Sequence, residues 1–309
     1  MTVSLGLFGA PTSAASYAPG QEKAPRALRE AGLLEALERA GLTVVDQGDL
    51  PVWRWRPDRA SRFAQNLDAV ADYVRRTEAG VRDIVARGQI PLVLGGNCTL
   101  ELGTVAGVLS RYGNVGLIYL DFQPDLNLPT STLHGALDWM GMSHMLDVEG
   151  ALPELSRFGP RFPLLQPKDV FFCGIDRSQV SAWENKTLDR LNLRYAESQD
   201  LARDPEGVAA DILDKWASPF ERILVHFDVD VLDFFDAPLA ENYTRNLGLT
   251  LDQAMRALGV FAADEKFGGL TITEINPDHG EEDGATLKRF IAALAKALSR
   301  SPALTRRRA

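Results

Sequence analysis

The chain has 309 residues, 45% of them hydrophobic and 24% charged, which allows a sizeable core and excludes general disorder. The formal net charge of −9 opposes nucleic acid or an anionic membrane as a partner, because both bind basic surfaces. Two cysteines in distant segments do not make a disulfide framework, and the sequence shows neither a secretory leader nor an apolar run of about 18 residues. We therefore expect a soluble cytoplasmic protein.

Apolar runs alternate with helical spacing along the chain. Predicted strands cover residues 3–8, 42–45, 90–94, 115–120, 170–173, 223–227 and 269–275, and predicted helices cover residues 24–39, 66–86, 100–109, 180–191, 205–216, 251–262 and 286–299. Residues 47–59 are expected to form an irregular surface connection, residues 126–168 a long insert, and the basic residues 306–308 a solvated end. The alternation predicts one α/β domain over residues 1–309, with three layers (α/β/α) and a mostly parallel sheet.

Carboxylates follow two of the predicted strands. Asp121 and Asp125 come after the fourth strand, and Asp228 and Asp230 come after the sixth, where side chains two positions apart share a face of a strand. Four carboxylates in a dry pocket would repel one another, so they either remain in water or share cations. Divalent cations that prefer oxygen ligands are the expected partners.

Polar residues also follow other predicted strands. Asn97 and Cys98 follow the third, Asp176 follows the fifth, and Glu274 and Asn276 lie at the end of the seventh. In open parallel α/β sheets, reactive groups gather at the carboxyl ends of the strands. We therefore expect a functional site that combines carboxylates from separated strands.

Four segments resemble the ureohydrolase family, which comprises arginases, agmatinases and related amidine hydrolases. Residues 95–99 (Gly-Gly-Asn-Cys-Thr) are similar to its Gly-Gly-Asp-His-Ser, 121–125 (Asp-Phe-Gln-Pro-Asp) to its Asp-Ala-His-x-Asp, 227–230 to its Phe-Asp-Val-Asp, and 274–277 (Glu-Ile-Asn-Pro) to its Glu-Val-Asn-Pro. Residues 9–11 and 24–29 also fit the family. The resemblance covers nearly the whole chain.

The resemblance implies an arginase-like fold, a homo-oligomer and two manganese ions that activate a water to attack the guanidino or amidine carbon of a small molecule. By position, Asp121 and Asp228 would bridge both ions, Asp125 would complete one metal site and Asp230 the other. Glu274 would hold the guanidinium group of the substrate through a charge-assisted pair.

The resemblance also bears on the substrate. Asn127, Glu241 and Asn242 are assigned to substrate binding together with Glu274. His134 lies in a Leu-His-Gly segment that resembles one in arginases, where the histidine shuttles protons; a chance similarity is the alternative. Residues 233–245 and 174–179 depart from the arginase pocket, so we do not expect arginine to be the substrate.

Two departures fall on the metal ligands, because Cys98 and Gln123 stand where the family has histidines, one for each ion. A Cys98 thiolate would shift the preference from manganese toward zinc or iron, and an amide oxygen of Gln123 is a weak ligand, so one or two ions are expected. Cys98 can also be interpreted as a small buried hydrophobic residue. The four aspartates can likewise be interpreted as helix caps and turn residues.

Three functional hypotheses follow. The first is a metal-dependent hydrolase of a C–N bond in a guanidino, amidine or related small substrate. The second is a degenerate, metal-free member of the family that acts as a binding or oligomer-forming subunit, which the loss of both histidines favours. The third makes Cys98 a covalent nucleophile with His134 as its base.

The remaining histidines and the second cysteine are interpreted structurally. His226 alternates with buried residues of its strand and is predicted to be a hydrogen-bonded structural histidine. His144 and His279 are expected at the surface or at helix caps. Cys173 is expected in the core.

Overall fold

Eight parallel strands form one sheet in the computed structural model, which describes residues 3–243 and 245–305. The strands are β1 Leu5–Gly9, β2 Val44–Asp49, β3 Ile90–Leu94, β4 Val115–Leu120, β5 Val170–Ile175, β6 Arg194–Glu197, β7 Arg222–Asp228 and β8 Phe267–Thr273. Their order across the sheet is β2-β1-β3-β8-β7-β4-β5-β6. The basic residues 306–308 lie outside the described residues.

Helices connect the strands and cover both faces of the sheet. They are α1 Ala24–Glu30, α2 Leu33–Arg39, α3 Leu67–Ala86, α4 Leu100–Leu109, α5 Gly141–Met145, α6 Pro153–Ser156, α7 Ala182–Arg190, α8 Ser198–Arg203, α9 Pro205–Trp216, α10 Leu251–Ala263, α11 Ala285–Leu298 and α12 Pro302–Thr305. None of these described helices is long and apolar enough to cross a membrane.

The core is divided by the sheet, as successive residues of β4 show. Ile118 and Leu120 belong to the hydrophobic cluster that contains residues of α2, α9, α10 and α11. Leu117 and Tyr119 belong to the cluster that contains residues of α3 and α4. Because successive side chains of a strand point to opposite faces, the two clusters lie on opposite sides of the sheet. The prediction of a three-layer α/β/α fold with a parallel sheet is confirmed.

Several predicted boundaries are wrong. The helix predicted over residues 24–39 is broken at Gly32, whose φ of 90° is in the left-handed region. The strand β2 extends to Asp49, into a segment expected to be irregular. The elements β6 and α8 were not predicted, because β6 is a short edge strand with the polar sequence Arg-Tyr-Ala-Glu. The strand β8 ends at Thr273, so Glu274 follows the strand instead of lying within it.

His144 is buried, which contradicts its expected place at the surface. Its ring lies in α5, with Nδ1 at 2.6 Å from the carbonyl oxygen of Met140, and burial lowers the pKa of the imidazole from 6.5 to about 4. His279 is half-buried, and its Nδ1 lies 2.9 Å from the carbonyl oxygen of Ala240. Cys173 is buried in the core, as predicted.

The buried imidazole of His144 should make the fold sensitive to acid. The unfolded chain takes up this proton near pH 6.5 and the folded chain near pH 4, so stability is lost as the pH falls through that window. When the pH falls from about 7 to about 4, the free energy of unfolding should decrease in the wild type. The decrease should be up to about 3 kcal/mol larger than in His144→Gln. Urea denaturation at a series of pH values measures the difference. Parallel pH profiles for the two proteins would refute this assignment.

Candidate active site

Four neighbouring strands, β3, β8, β7 and β4, deliver polar side chains to one edge of the sheet. Cys98 follows β3, Glu274 follows β8, Asp228 is the last residue of β7, and Asp121 follows β4. All four residues are buried. Because parallel strands end at the same edge, segments far apart in the chain form one pocket there. Asp176 follows β5 but does not join the pocket; its carboxylate accepts hydrogen bonds from Ser178.

A glycine allows the Cys98 loop to lie close to the loop after β1. A Cβ atom at Gly96 would lie 1.6 Å from the carbonyl oxygen of Thr12, so a larger residue requires the backbone to move. The backbone N–H of Cys98 then donates a hydrogen bond to Asp138 Oδ1 at 2.6 Å. Close backbone packing therefore positions the thiol.

The first ligand cluster combines sulfur, nitrogen and oxygen atoms. Cys98, Asp121, His226 and Asp228 each offer one ligand atom, and these atoms all lie within 4.8 Å of one another. The thiol of Cys98 donates a hydrogen bond to Asp228 Oδ2 at 2.9 Å. Asp121 Oδ1 accepts from the backbone N–H of Gln123 at 2.6 Å, whereas Asp121 Oδ2 is buried without a hydrogen-bond partner among the described residues. The structure thus forms a cluster that has the composition of a metal site.

A second cluster, within the same 4.8 Å limit, contains Cys98, Asp138 and Glu274. Glu274 has a φ of 65°, in the left-handed region, and its Oε2 accepts a hydrogen bond from Gln21 Nε2. Its Oε1 is buried without a partner among the described residues. Asp138 and Gln21 were not assigned a role from the sequence, since both lie in short 3-10 helices that no periodicity identifies.

Asp125 and Asp230 flank the first cluster. Asp125 Oδ2 accepts a hydrogen bond from the hydroxyl of Tyr119 at 2.5 Å. Asp230 lies in a 3-10 turn after β7 and not within the strand, contrary to the prediction that it shares a strand face with Asp228. The turn nevertheless keeps the two residues together, because the Asp230 N–H donates to Asp228 Oδ1 at 2.7 Å.

The carboxyl groups of the pocket are buried, and burial is the main cause of their shifted pKa values. Burial raises the pKa of the carboxyl groups of Asp121, Asp125, Asp138, Asp228, Asp230 and Glu274. For Asp121, the carboxyl groups of Asp230 and Asp228 raise the pKa further. Burial, followed by Asp228, raises the pKa of the Cys98 thiol. Within the described residues, no lysine or arginine forms an ion pair with these carboxyl groups, so a bound cation would relieve their repulsion.

A cleft of about 380 Å³ lies next to the clusters and contains three of the predicted residues. Gln123, Asn127 and Asn242 line it together with Trp139. Asn242 Nδ2 donates to Asp230 Oδ2 at 3.2 Å, and Asn127 Oδ1 accepts from the hydroxyl of Ser131 at 3.0 Å. The cleft therefore joins the predicted substrate residues to the acidic pocket.

The last two predicted residues, Glu241 and His134, belong to neither ligand cluster of the described residues. Glu241 Oε2 accepts a hydrogen bond from Asn276 Nδ2 at 2.6 Å. His134 lies in an exposed loop, where its ring packs edge-on against Trp139 with the centroids 5.4 Å apart. His134 therefore contacts Trp139, which lines the cleft, and neither ligand cluster of the described residues includes it.

Two further residues of the pocket, Tyr119 and His226, could have been predicted from the alternation of side chains along a strand. Tyr119 precedes Asp121 by two positions, and His226 precedes Asp228 by two, so each aromatic ring shares a face with a predicted ligand. His226 is hydrogen-bonded, as predicted: its Nδ1 lies 3.3 Å from Glu101 Oε2 and its Nε2 lies 3.2 Å from Thr273 Oγ1.

The fold and the pocket define an α/β protein with an acidic site at the carboxyl edge of a parallel sheet. The sequence profile of the Arginase family matches residues 3–299, and the chain belongs to that family, which confirms the resemblance to ureohydrolases. Human arginase-1 is 28% identical over 303 residues, covering 96% of this chain and 92% of the relative. Arginase from Bacillus caldovelox is 26% identical over 278 residues, covering 88% and 91%. The structure of that arginase matches with a TM-score of 0.86 and 25% identity, covering 96% of this chain and 98% of the other.

The repulsion within the pocket should be measurable in metal-free protein. Asp121→Asn removes one negative charge and preserves an oxygen for the Gln123 N–H, so the free energy of unfolding after chelation should rise by about 1–2 kcal/mol. The control is Asp214→Asn, an exposed change on α9 that should shift stability by less than about 0.5 kcal/mol. Urea denaturation at neutral pH measures both. A loss of stability in Asp121→Asn would show that these carboxyl groups do not repel one another.

Proposed function

We propose that the chain is a metal-dependent hydrolase that cleaves a C–N bond of a guanidino, amidine or related small substrate. The observation that carries this proposal is the cluster of buried carboxyl groups with Cys98, which lacks a lysine or arginine ion-pair partner among the described residues. Membership in the arginase family, a family of hydrolases that use two metal ions, supports it. A small-molecule substrate and a homo-oligomer belong to the same proposal.

The donor atoms of the pocket fit a divalent cation. Asp121 Oδ2 is buried and has no hydrogen-bond partner among the described residues, so its lone pairs are available to a ligand. Asp121, Asp228 and Cys98 would hold one ion. Asp230, whose N–H donates to Asp228, and Asp125 would supply further carboxylate oxygens beside it. A bound divalent cation supplies a Lewis acid and lowers the pKa of coordinated water to near neutrality.

The chain's own residues would bind and orient the substrate. Glu274 offers a buried carboxyl group whose Oε1 accepts no hydrogen bond from an N–H donor within the described residues, which suits a guanidinium or amidinium group. The carboxyl group of Asp138 lies beside it and shares a hydrogen bond with it, and a cationic substrate would replace that contact. Gln21 holds the other oxygen, so the carboxyl group has a fixed orientation. Asn242 and Asn127 would contact the rest of the substrate in the cleft, and His134 would exchange protons with solvent beside Trp139.

The metal-free binding subunit is the second candidate. It is favoured by the replacement of two ligand histidines and by the hydrogen bond from the Cys98 thiol to Asp228, which partly satisfies the pocket without an ion. The hypothesis of a Cys98 nucleophile has less support. Burial and Asp228 raise the pKa of the thiol, which opposes formation of the thiolate, and His134 lies in an exposed loop.

Two variants should separate metal binding from substrate binding. Purified protein should contain a divalent metal and release urea, amine or ammonia from a member of a panel of guanidino amines, guanidino acids, formimino acids and arginine. Asp228→Asn should lose the metal and at least about 100-fold in kcat/KM, because it removes a ligand. Glu274→Gln should lose a similar factor but keep the metal, because its carboxyl group binds the substrate.

The control for both variants is Asp214→Asn, which should retain the metal and the activity. Metal content is measured by elemental analysis, and catalysis by product release. Three results together would favour the hypothesis of a metal-free binding subunit over that of a hydrolase. The chelated protein would take up no divalent ion, its melting temperature would be the same with every ion supplied, and no substrate would react.

A second prediction concerns the two replaced histidines. Cys98→His combined with Gln123→His should raise the affinity for Mn²⁺ by roughly tenfold or more, because each change adds an imidazole without removing a carboxylate. Gln179→His is the matched control, since Gln179 lines the same cleft and is exposed. Titration of the chelated proteins with Mn²⁺ measures the affinity. An unchanged affinity in the folded double variant would contradict the assignment of positions 98 and 123 to the metal.

A further inference from the structure

His226 lies beside the thiol of Cys98 in the buried pocket. One of its ring nitrogens lies within 4.8 Å of ligand atoms of Cys98, Asp121 and Asp228. Of the two ring nitrogens, Nε2 shares a neighbour with the thiol, since Thr273 Oγ1 lies 3.2 Å from Nε2 and 3.2 Å from the sulfur of Cys98. The pocket therefore contains an imidazole, although Cys98 and Gln123 occupy the positions where the family has histidines.

Two neighbours determine the orientation of the imidazole. Glu101 of α4 is buried, and its Oε2 lies 3.3 Å from Nδ1 of His226. The ring of Tyr119 is stacked on that of His226, with the centroids 4.1 Å apart and the planes 4° from parallel. A carboxylate that accepts the proton of one ring nitrogen fixes the tautomer in which the other nitrogen has a free lone pair, an arrangement common behind metal ligands.

We propose that Cys98, His226, Asp228 and Asp121 bind one divalent ion of the zinc or iron(II) class, with Glu101 as the positioning residue for His226. This inference rests on the proposed function and specifies its metal centre. One sulfur, one nitrogen and two oxygen ligands match the donors preferred by these ions, whereas Mn²⁺ favours oxygen. Asp121 Oδ2, buried and unpaired among the described residues, provides an open ligand position. Binding releases the proton that the thiol donates to Asp228, and solvent accepts it.

The competing explanation is that His226 serves the fold alone. Both of its ring nitrogens have protein partners, Glu101 and Thr273, so the imidazole is satisfied without an ion. The two explanations differ in what a change at His226 or Glu101 does to the ion. If His226 is a ligand, metal affinity depends on both residues; if it is structural, stability changes and the metal affinity does not.

The test is a titration of the full chain, stripped with a chelator, with Co²⁺ as a spectroscopic probe and Zn²⁺ in competition. The wild type should bind one Co²⁺ per chain, with a thiolate-to-cobalt band in the near ultraviolet and strong visible bands of four-coordinate cobalt. Cys98→Ser should lose the thiolate band. His226→Gln should keep that band, with altered visible bands and at least about tenfold weaker Zn²⁺ binding.

Glu101→Gln provides a second variant in case His226→Gln does not fold, and it should weaken Zn²⁺ binding by about 10–100-fold. Cys173→Ala is the control, because this cysteine lies in the core and should leave the spectrum unchanged. A wild-type spectrum without the thiolate band would overturn the proposed site. So would Zn²⁺ affinity that is equal in wild type, His226→Gln and Glu101→Gln.

These outcomes are distinct from those that test the hydrolase. Metal bound through Cys98 and His226, without turnover of any substrate, would support the site and oppose the hydrolase. Turnover by an enzyme whose metal spectrum and affinity are insensitive to His226 and Cys98 would support the hydrolase and overturn this site. A chain that takes up neither Co²⁺ nor Zn²⁺ would overturn this site, and one that takes up no divalent ion and turns over no substrate would overturn both.

Discussion

The concentration of buried carboxyl groups at one edge of the sheet is the constraint on which the rest of the site depends. Each group loses the hydration that stabilises its charge, and its neighbours carry the same charge. Hydrogen-bond donors provide partial relief: backbone N–H groups serve Asp121 and Asp228, and the phenol of Tyr119 serves Asp125. Such an arrangement lowers the stability of the fold while these carboxyl groups are charged, and a bound cation would offset that cost.

The backbone around the pocket is held in place by bonds between loops from different strands. Glu274 has a left-handed backbone conformation, which is unfavourable for a residue with a side chain. Its N–H donates to the carbonyl oxygen of Gly96 at 2.7 Å, and its carbonyl oxygen accepts from the N–H of Glu241 at 3.2 Å. The loop after β3, the end of β8 and the loop after β7 therefore form one unit. A pocket built in this way orients its carboxyl groups before any ligand arrives.

The sheet could be predicted from the sequence because strands buried on both faces are continuous apolar runs. The same rule predicted that Asp121 and Asp228 end such runs and meet at one edge of the sheet. The edge strand β6 was not predicted, because it is short and polar. Asp138 and Gln21 come from short 3-10 helices between strands, whose positions depend on tertiary contacts that have no local pattern.

The pair formed by Glu101 and His226 shows a different limit of sequence-based prediction. The two residues are 125 positions apart, and one lies on a helix while the other lies on a strand. Periodicity identifies the face that each residue occupies within its own element, but their contact depends on how α4 packs against the sheet. A buried histidine that follows a strand pattern is therefore readily interpreted as structural from the sequence, before its neighbours are known.

The order of the strands determines when the pocket can exist during folding. The strand β8 lies between β3 and β7, and its register pairs Leu92 with Leu270, so a late segment of the chain completes the centre of the sheet. Until β8 is in place, Cys98 and Asp228 belong to strands that are not neighbours, and Glu274 has no fixed position. Asp121 and Asp228 can meet without β8, because β4 and β7 pair directly, whereas Cys98 and Glu274 join them only when β8 is paired. An ion held by Cys98 together with the aspartates therefore stabilises the completed sheet over any form of the chain in which β8 is missing from its place.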